Sequence, residues 1–505
     1  MKSKTKASIL TMIFSIVNSV VIVVFNLVYN NLLIRVYGSE VNGLISTLTQ
    51  FVSLFSIIEG GFVTAAVVAT YAPIKDKNYK ILNDVLYTTK RFYFRIGITI
   101  TACVLVFGSV YINFIESPFG YLKTYAVLIV SVFTTVLSLC FMTKYSIVLQ
   151  GDNKAYIQNL FSFIAKTATW IISVLMITFE YDILLVYAIN IINVLFNILL
   201  VKIYEKKHYP FVNYKGQYDK SLIKGTKDIL FQKIANTIFT STDLILISTF
   251  ISLSFASVYN LYFQVFKAIL VLLSAIVLAP FNSFGQLAKD ENQKEKLTEY
   301  FDIYQNIILM VSTVVLTTTG VLIIPFVEVY TLNITDFEYV YPALAILFFS
   351  QIYAQIINKP FGTILNATGN FKTQNIQCGV AAIVNIIVSV AFIKSWGINS
   401  VVFGSLVGTL VILVMNIYQA HKNVVASSVF KTLKNVTLNY LLGMSIILLS
   451  FKVTIKASNY FDLALFAVII SLLIIVIVVG FNALLNKKDF VNVYRYLKSI
   501  LLKNK

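Results

Sequence analysis

From Ala7 to Val36 the chain reads ASILTMIFSIVNSVVIVVFNLVYNNLLIRV, thirty residues whose one charge, Arg35, comes near the far end. The hydrocarbon core of a bilayer takes about 20 apolar residues as a helix, so the stretch is long enough to cross. A cleaved secretory leader has an apolar core of only about 7–15 residues and a small-x-small cleavage site. Neither feature is present behind Lys2, Lys4 and Lys6. The stretch is therefore expected to be a retained first membrane span.

The rest of the chain repeats this pattern. Apolar residues make up 58% of the 505 positions and charged residues 12%, against about 45–50% and 25% in soluble domains. Fourteen stretches are long and apolar enough for spans: 8–36, 41–70, 93–114, 122–148, 157–179, 183–204, 230–251, 255–281, 301–326, 341–365, 374–393, 398–420, 435–451 and 461–485. The expected fold is an all-α polytopic membrane protein of about 14 transmembrane helices. Cys103, Cys140 and Cys378 fall far apart in apolar sequence, with no metal or redox spacing.

The 40 Lys and Arg against 22 Asp and Glu do not gather on one segment, as a nucleic-acid surface requires. They punctuate the apolar runs. Loops on the side of the termini carry 31 of the 40, the opposite loops 5, and four lie within spans. Basic loops stay on the cytoplasmic side, so both termini are expected there. One mistaken span would swap every later loop and erase the asymmetry, so the charge split also supports the even count.

Two matches divide the chain. KDKNYK at Lys75–Lys80 answers KDENQK at Lys289–Lys294, 214 residues on, and Leu149–Asn159 answers Leu365–Asn375 at an offset of 216. Nearly equal offsets at equivalent loops imply two pseudo-symmetric six-helix lobes in the same orientation. The expected organisation is an N-lobe over 1–204, a basic cytoplasmic linker over 205–229, a C-lobe over 230–420 and two added C-terminal helices over 421–485. Residues 486–505 form an amphipathic cytoplasmic tail, with Phe490, Val493, Tyr494 and Leu497 at helical spacing, suited to lie on the membrane surface.

Polar groups at membrane depth need a reason, because a central charge costs about 2.5–3.5 kcal/mol even on an insertion scale. On the first span, Ser15, Asn18, Ser19, Asn26, Tyr29 and Asn30 share an arc of about 120°. Lys233, Asn236, Thr240 and Asp243 share a face of span 7, the repeat partner of the first. Such stripes line a cavity or hydrogen-bond helix to helix. Lys267 and Glu59 lie near mid-span. Lys144 and Lys359 precede the repeated Leu149 and Leu365 by five and six residues, so each lobe offers one cation at a matching depth. A pair so placed could grip a diphosphate, or snorkel to headgroups. Lys166 lies about two turns into span 5, and Arg35 stands at the outer end of span 1. Candidate substrate-binding residues are thus Lys267, Lys144, Lys359, Lys166, Arg35, Asn18, Asn26, Asn30 and Asn236, with Glu59 and Asp243 as candidate coupling-ion residues.

The chain resembles the oligosaccharide flippases of bacterial polysaccharide synthesis, within the multidrug/oligosaccharidyl-lipid/polysaccharide exporter superfamily. The likeness spans nearly the whole chain. It rests on the 12+2 helix plan, on Asp243-Leu244-Ile245-Leu246-Ile247 followed by Tyr259, on Ala279-Pro280-Phe281-Asn282-Ser283, and on the turns Gln150–Lys154 and Asn366–Asn370. The resemblance implies a V-shaped pair of lobes that opens alternately to either side and carries an undecaprenyl-diphosphate-linked sugar unit to the outer leaflet. Lipid II flippases of that superfamily carry several cavity cations on spans 1, 2 and 8. Here only Lys267 matches, since span 1 offers Asn and span 2 Glu59, which argues against the peptidoglycan precursor.

Two other readings share the fold: a cation-coupled multidrug antiporter, favoured by Glu59 and Asp243, and a lipid II or teichoic-acid-type precursor flippase. The four cations within spans favour an anionic cargo. An enzyme on the same lipid carriers would need catalytic groups on a sizeable outer loop, and only Glu328, Asp336 and Glu338 cluster there. His208 and His421 are the two histidines and fall toward the cytoplasm, so neither histidine catalysis nor a zinc site is expected. The expected partners are the lipid-linked oligosaccharide, membrane lipids and other polysaccharide-assembly proteins, with no nucleic acid. No cofactor or metal is expected, and coupling to a Na⁺ or H⁺ gradient is left open.

Overall fold

The computed structural model describes residues 2–55, 62–219, 226–277, 294–368, 371–453 and 455–485, and scattered residues outside them as far as 495. Every described regular element is helical. The helices are α1 Lys2–Tyr37, α2 Ser39–Phe55, α3 Phe62–Lys75, α4 Tyr79–Tyr111, α5 Tyr121–Leu137, α6 Thr143–Gly151, α7 Ala155–Thr178, α8 Ile183–His208, α9 Thr226–Phe250 and α10 Leu253–Val277. They continue with α11 Lys294–Tyr330, α12 Pro342–Ala367, α13 Phe371–Trp396, α14 Ile398–Asn423, α15 Val429–Ser450 and α16 Tyr460–Leu485. Each expected span overlaps one of these helices or a pair, α2 with α3 flanking residues 56–61 and α5 with α6 joined by a π-helical turn, Ser138–Met142, but α4 begins 14 residues before the expected 93 and α11 seven before the expected 301. By length and composition, ten described stretches can cross a membrane. Val21–Tyr37, Phe62–Lys75 and Thr237–Phe250 are shorter apolar helices.

Local chemistry sets the breaks. Gly38 ends α1 with φ +91°, a left-handed conformation that a Cβ would strain, and Gly397 does the same between α13 and α14 with φ +53°. Asn78 caps α4 by accepting from Ile81 N, and Asp182 caps α8 by accepting from Leu184 N at 2.8 Å, satisfying amides with no intrahelical partner.

The chain forms two compact units, Met1–Asn260 and Leu261–Lys505. In the first, Leu44, Leu48, Phe51 and Val52 of α2 pack with Ile100 and Val104 of α4, Val127 and Leu128 of α5, and Val186 of α8. Phe51 stacks on Tyr111 at 4.6 Å. Lipid tails are as apolar as Leu, so small residues and interhelical hydrogen bonds must specify much of the packing, at about 0.6 kcal/mol per bond. Asn42 donates to Ser257 Oγ at 2.6 Å and Asn260 to Ser46 Oγ at 2.9 Å, and Tyr111 bonds Ser248 at 2.8 Å. These bonds stitch α9 and the start of α10 to α2 and α4. A Cβ on Gly43 would meet the carbonyl carbon of Leu253 at 2.7 Å, so only glycine permits that approach.

In the second unit, Tyr262 of α10 donates to the Tyr339 carbonyl at 3.0 Å and accepts from Tyr341 N, fixing the entry to α12. Asn439 of α15 and Asn482 of α16 exchange amide bonds at 2.9 and 3.1 Å. The rest of α16 is apolar and largely uncovered, with Val468, Ile469, Leu472, Leu473 and Val476 all exposed. Such a face requires hydrocarbon as its solvent, and the chain is a multi-pass membrane protein.

Segment 205–229, expected as a linker, is more than a spacer. Residues 211–219 lie along α4: Phe211 stacks on Tyr79 at 4.2 Å, Asn83 accepts from Asn213 N, Asp84 accepts from Gln217 N at 2.7 Å, and Thr88 accepts from Asp219 N. The second copy of the KDKNYK match, 289–293, and the tail beyond 495 lie outside the described residues. Of the tail that is described, Asp489 pairs with Lys431 at 2.6 Å and Val493 is buried.

Candidate transport site

In the first unit α1 packs against α7. Trp170 stacks on Phe25 at 4.5 Å and its indole N–H donates to the Phe25 carbonyl at 3.1 Å. Lys166 lies one turn before Trp170. It is partly buried, and no ion pair or hydrogen bond to its ammonium is found among the described residues. Among the described residues, Asn18 Oδ1 and the Tyr29 hydroxyl are buried without hydrogen-bond partners, where a desolvated polar atom costs about 1–3 kcal/mol. Asn26 and Asn30 are partly buried on the same helix, and Arg35 is exposed at its end. Behind α7, Asn193 donates to Thr169 at 2.7 Å.

Asp243 is 3% exposed on α9 and accepts from the Tyr259 hydroxyl at 2.7 Å. The two residues singled out together in the sequence thus form one buried pair, sixteen positions apart. Glu59 and the side chains of Asn236, Lys233 and Thr240 lie outside the described residues.

Lys144 follows the π-helical turn of span 4. Its ammonium lies 4.8 Å from the Tyr145 ring centroid, 4.9 Å from Tyr214 and 5.8 Å from Phe141. Tyr214 in turn donates to the Glu205 carboxylate, and Lys144 feels the like charges of Lys90 and Lys202 as well as the opposite charge of Glu205. Burial and that carboxylate push the Tyr214 phenol well above its ordinary range. The linker thus completes a box around this lysine. Nearby, burial alone would depress the Lys154 ammonium, but Asp152 at 2.8 Å reverses the sign and raises it. Asp152 also accepts from Tyr209 at 2.7 Å, tying the end of α8 to the α6–α7 turn.

In the second unit Lys267 is exposed on α10, with its ammonium 5.0 Å from the Phe263 centroid. Lys359 is partly buried on α12, next to Asn358, which accepts from Asn416 of α14 at 2.8 Å. Neither lysine has an ion pair among the described residues. His421 closes α14 through Ser427 O at 2.8 Å and Thr432 at 3.1 Å, a packing role. The described histidines, cysteines and acids form no group able to hold a metal ion.

No protein-family model and no curated protein matches the chain. Solved structures do. A lipid II flippase, MurJ, in an inward closed conformation aligns over 93% of this chain and 98% of its own, with a TM-score of 0.70 at 13% identity. An inward-facing multidrug resistance MATE family transporter of the MOP superfamily aligns over 85% and 95%, with a TM-score of 0.63 at 12% identity. A eukaryotic MATE transporter, AtDTX14, gives a TM-score of 0.55 at 12% identity over 87% and 99%. The chain has the fold of these transporters. The alignments cover nearly all of each neighbour's own length.

Proposed function

We propose that the chain is a flippase that moves an undecaprenyl-diphosphate-linked oligosaccharide from the inner to the outer leaflet by alternating access, rather than an enzyme. In this reading fourteen spans form two six-helix lobes and an added pair, with both termini cytoplasmic in a bacterial membrane. The observation that carries the reading is the imbalance of charge at membrane depth. Lys166, Lys267 and Lys359 have no carboxylate partner among the described residues, while Asp243 is held by Tyr259. An unpaired ammonium in a span is tolerated where it faces water or an anion, and a diphosphate supplies the anion. The lipid tail needs no such provision, since hydrocarbon is its own solvent.

The cation-coupled antiporter is the second reading. It is favoured by Asp243, a deeply buried carboxylate next to a phenol, which suits proton or sodium exchange. Expression in a strain lacking its own polysaccharide flippase, with Lys267→Glu alongside, separates the two. Restored surface polysaccharide that is lost in the variant is the expected result. Ethidium efflux without restored polysaccharide overturns the flippase reading, and normal export by Lys267→Glu removes that lysine from the site.

A further inference from the structure

Arg91 and Arg95 lie one turn apart on α4, and both guanidinium groups rest on a single ring, Tyr218 of the linker, at 5.4 and 5.3 Å from its centroid. Each cation attracts the ring, at about 0.5–1 kcal/mol where exposed, while the two cations repel one another. No carboxylate pairs with either arginine among the described residues. Asp84 of α4 accepts from Gln217 N at 2.7 Å and Asp219 of the linker from Ser221 N at 2.8 Å. Among the described residues the Tyr218 hydroxyl is buried with no hydrogen-bond partner, so it is the ring and not the phenol that engages the arginines. Both arginines are exposed, with Phe94 and Ile98 beside them each 58% exposed. The pair therefore stands where a lipid-facing helix surface gives way to the basic loops, at the depth of headgroups.

From this juxtaposition we infer that Arg91, Arg95 and Tyr218 form a docking site for the phosphate of an anionic phospholipid in the leaflet that the basic loops face. A phosphodiester supplies the missing counter-charge and accepts from both guanidinium groups, whose forked donors match phosphate oxygens, while the acyl chains lie against Phe94 and Ile98. Tyr218 is a positioning residue: its ring holds the two forks together, so headgroup binding and the seating of the linker on α4 reinforce each other. The site needs the basic loops to lie at one membrane surface and is independent of the cargo.

The full chain is released from vesicles of phosphatidylcholine containing phosphatidylglycerol, and retained lipid is counted by native mass spectrometry. Arg91→Gln with Arg95→Gln is expected to weaken phosphatidylglycerol retention about thirtyfold, from two cations at an anionic surface. Tyr218→Ala lowers retention in part, and Tyr218→Phe leaves it intact because the ring face remains. Unchanged retention in the double variant overturns the site. Displacement of the lipid by millimolar inorganic phosphate overturns the lipid assignment in favour of a soluble phosphate. Should the double variant fail to fold, Tyr218→Ala measured against Tyr218→Phe tests the site instead: equal retention in both refutes the proposal.

Discussion

Lys144 and Lys359 stand at matching places before the two repeated joints, five residues ahead of Leu149 and six ahead of Leu365, and they meet opposite surroundings. The Lys144 ammonium lies 4.8 to 5.8 Å from three aromatic ring centroids, with Glu205 attracting it and Lys90 and Lys202 repelling it. Lys359 has Asn358 and Asn416 bonded beside it and no counter-charge among the described residues. The repeat supplies two cations, and the linker, which occurs once, consumes one of them. Internal symmetry in sequence thus gives equal positions and not equal roles. In the proposed flippase reading, Lys359 is the cation left available to an anionic cargo.

Charge reversal breaks this comparison most sharply. At a separation of 4 Å and an effective dielectric of about 20, an attraction of about 4 kcal/mol becomes a repulsion of that size. Lys359→Glu is expected to lower export more than about 100-fold, measured as lipid-linked glycan accumulating on the inner leaflet. Export near the parent level would place Lys359 outside the pathway.

Lys144→Met is expected to act differently. It removes the cation from the aromatic box and costs about 1 kcal/mol of stability, read as a lowered thermal midpoint in detergent, while export stays near the parent level. Loss of export with an unchanged midpoint would reverse the roles of the two lysines.

The smallest effect belongs to a pair on the surface. Lys123 donates to Asp182 at 2.6 Å, and this bond, with the Leu184 amide, holds the Asp182 carboxyl below its ordinary range. A depressed carboxyl contributes stability above its unfolded value of about 3.9, and the contribution disappears as the pH falls through the folded value. Both side chains are well exposed, 36% and 50%, so the loss is under about 1 kcal/mol. Thermal midpoints of Asp182→Asn and the parent should therefore differ at pH 7 and converge as the pH falls below about 4. A constant gap would show that the pair contributes nothing through charge.

Asp243 and Tyr259 show how far local reading reaches. They are sixteen residues apart on consecutive helices joined by a two-residue turn, so their proximity follows from an ordinary helical hairpin, and the motif was visible as a spacing. Arg91, Arg95 and Tyr218 show where it stops. Their contact closes a loop of more than 120 residues, and nothing in either segment names the other. Tyr214 beside Lys144 and Trp170 on the Phe25 carbonyl were hidden for the same reason. The one available signal was the aromatic content of the basic linker, Tyr209, Phe211, Tyr214 and Tyr218, unusual for a solvated spacer.

Hydropathy, charge and chain breaks are properties of contiguous residues. For that reason the sequence alone determined the membrane setting, the order of the long apolar helices and the set of polar groups within them. Which of those groups is satisfied is a property of neighbours brought together from distant segments. Only the tertiary structure decided that Asp243 is held by Tyr259, that Lys144 is boxed by the linker, and that Lys166, Lys267 and Lys359 lack a carboxylate partner among the described residues. The physical reason is range: transfer of a segment into hydrocarbon sums over its own side chains, whereas a hydrogen bond or a cation–π contact exists only within a few ångströms of a partner that the fold must deliver.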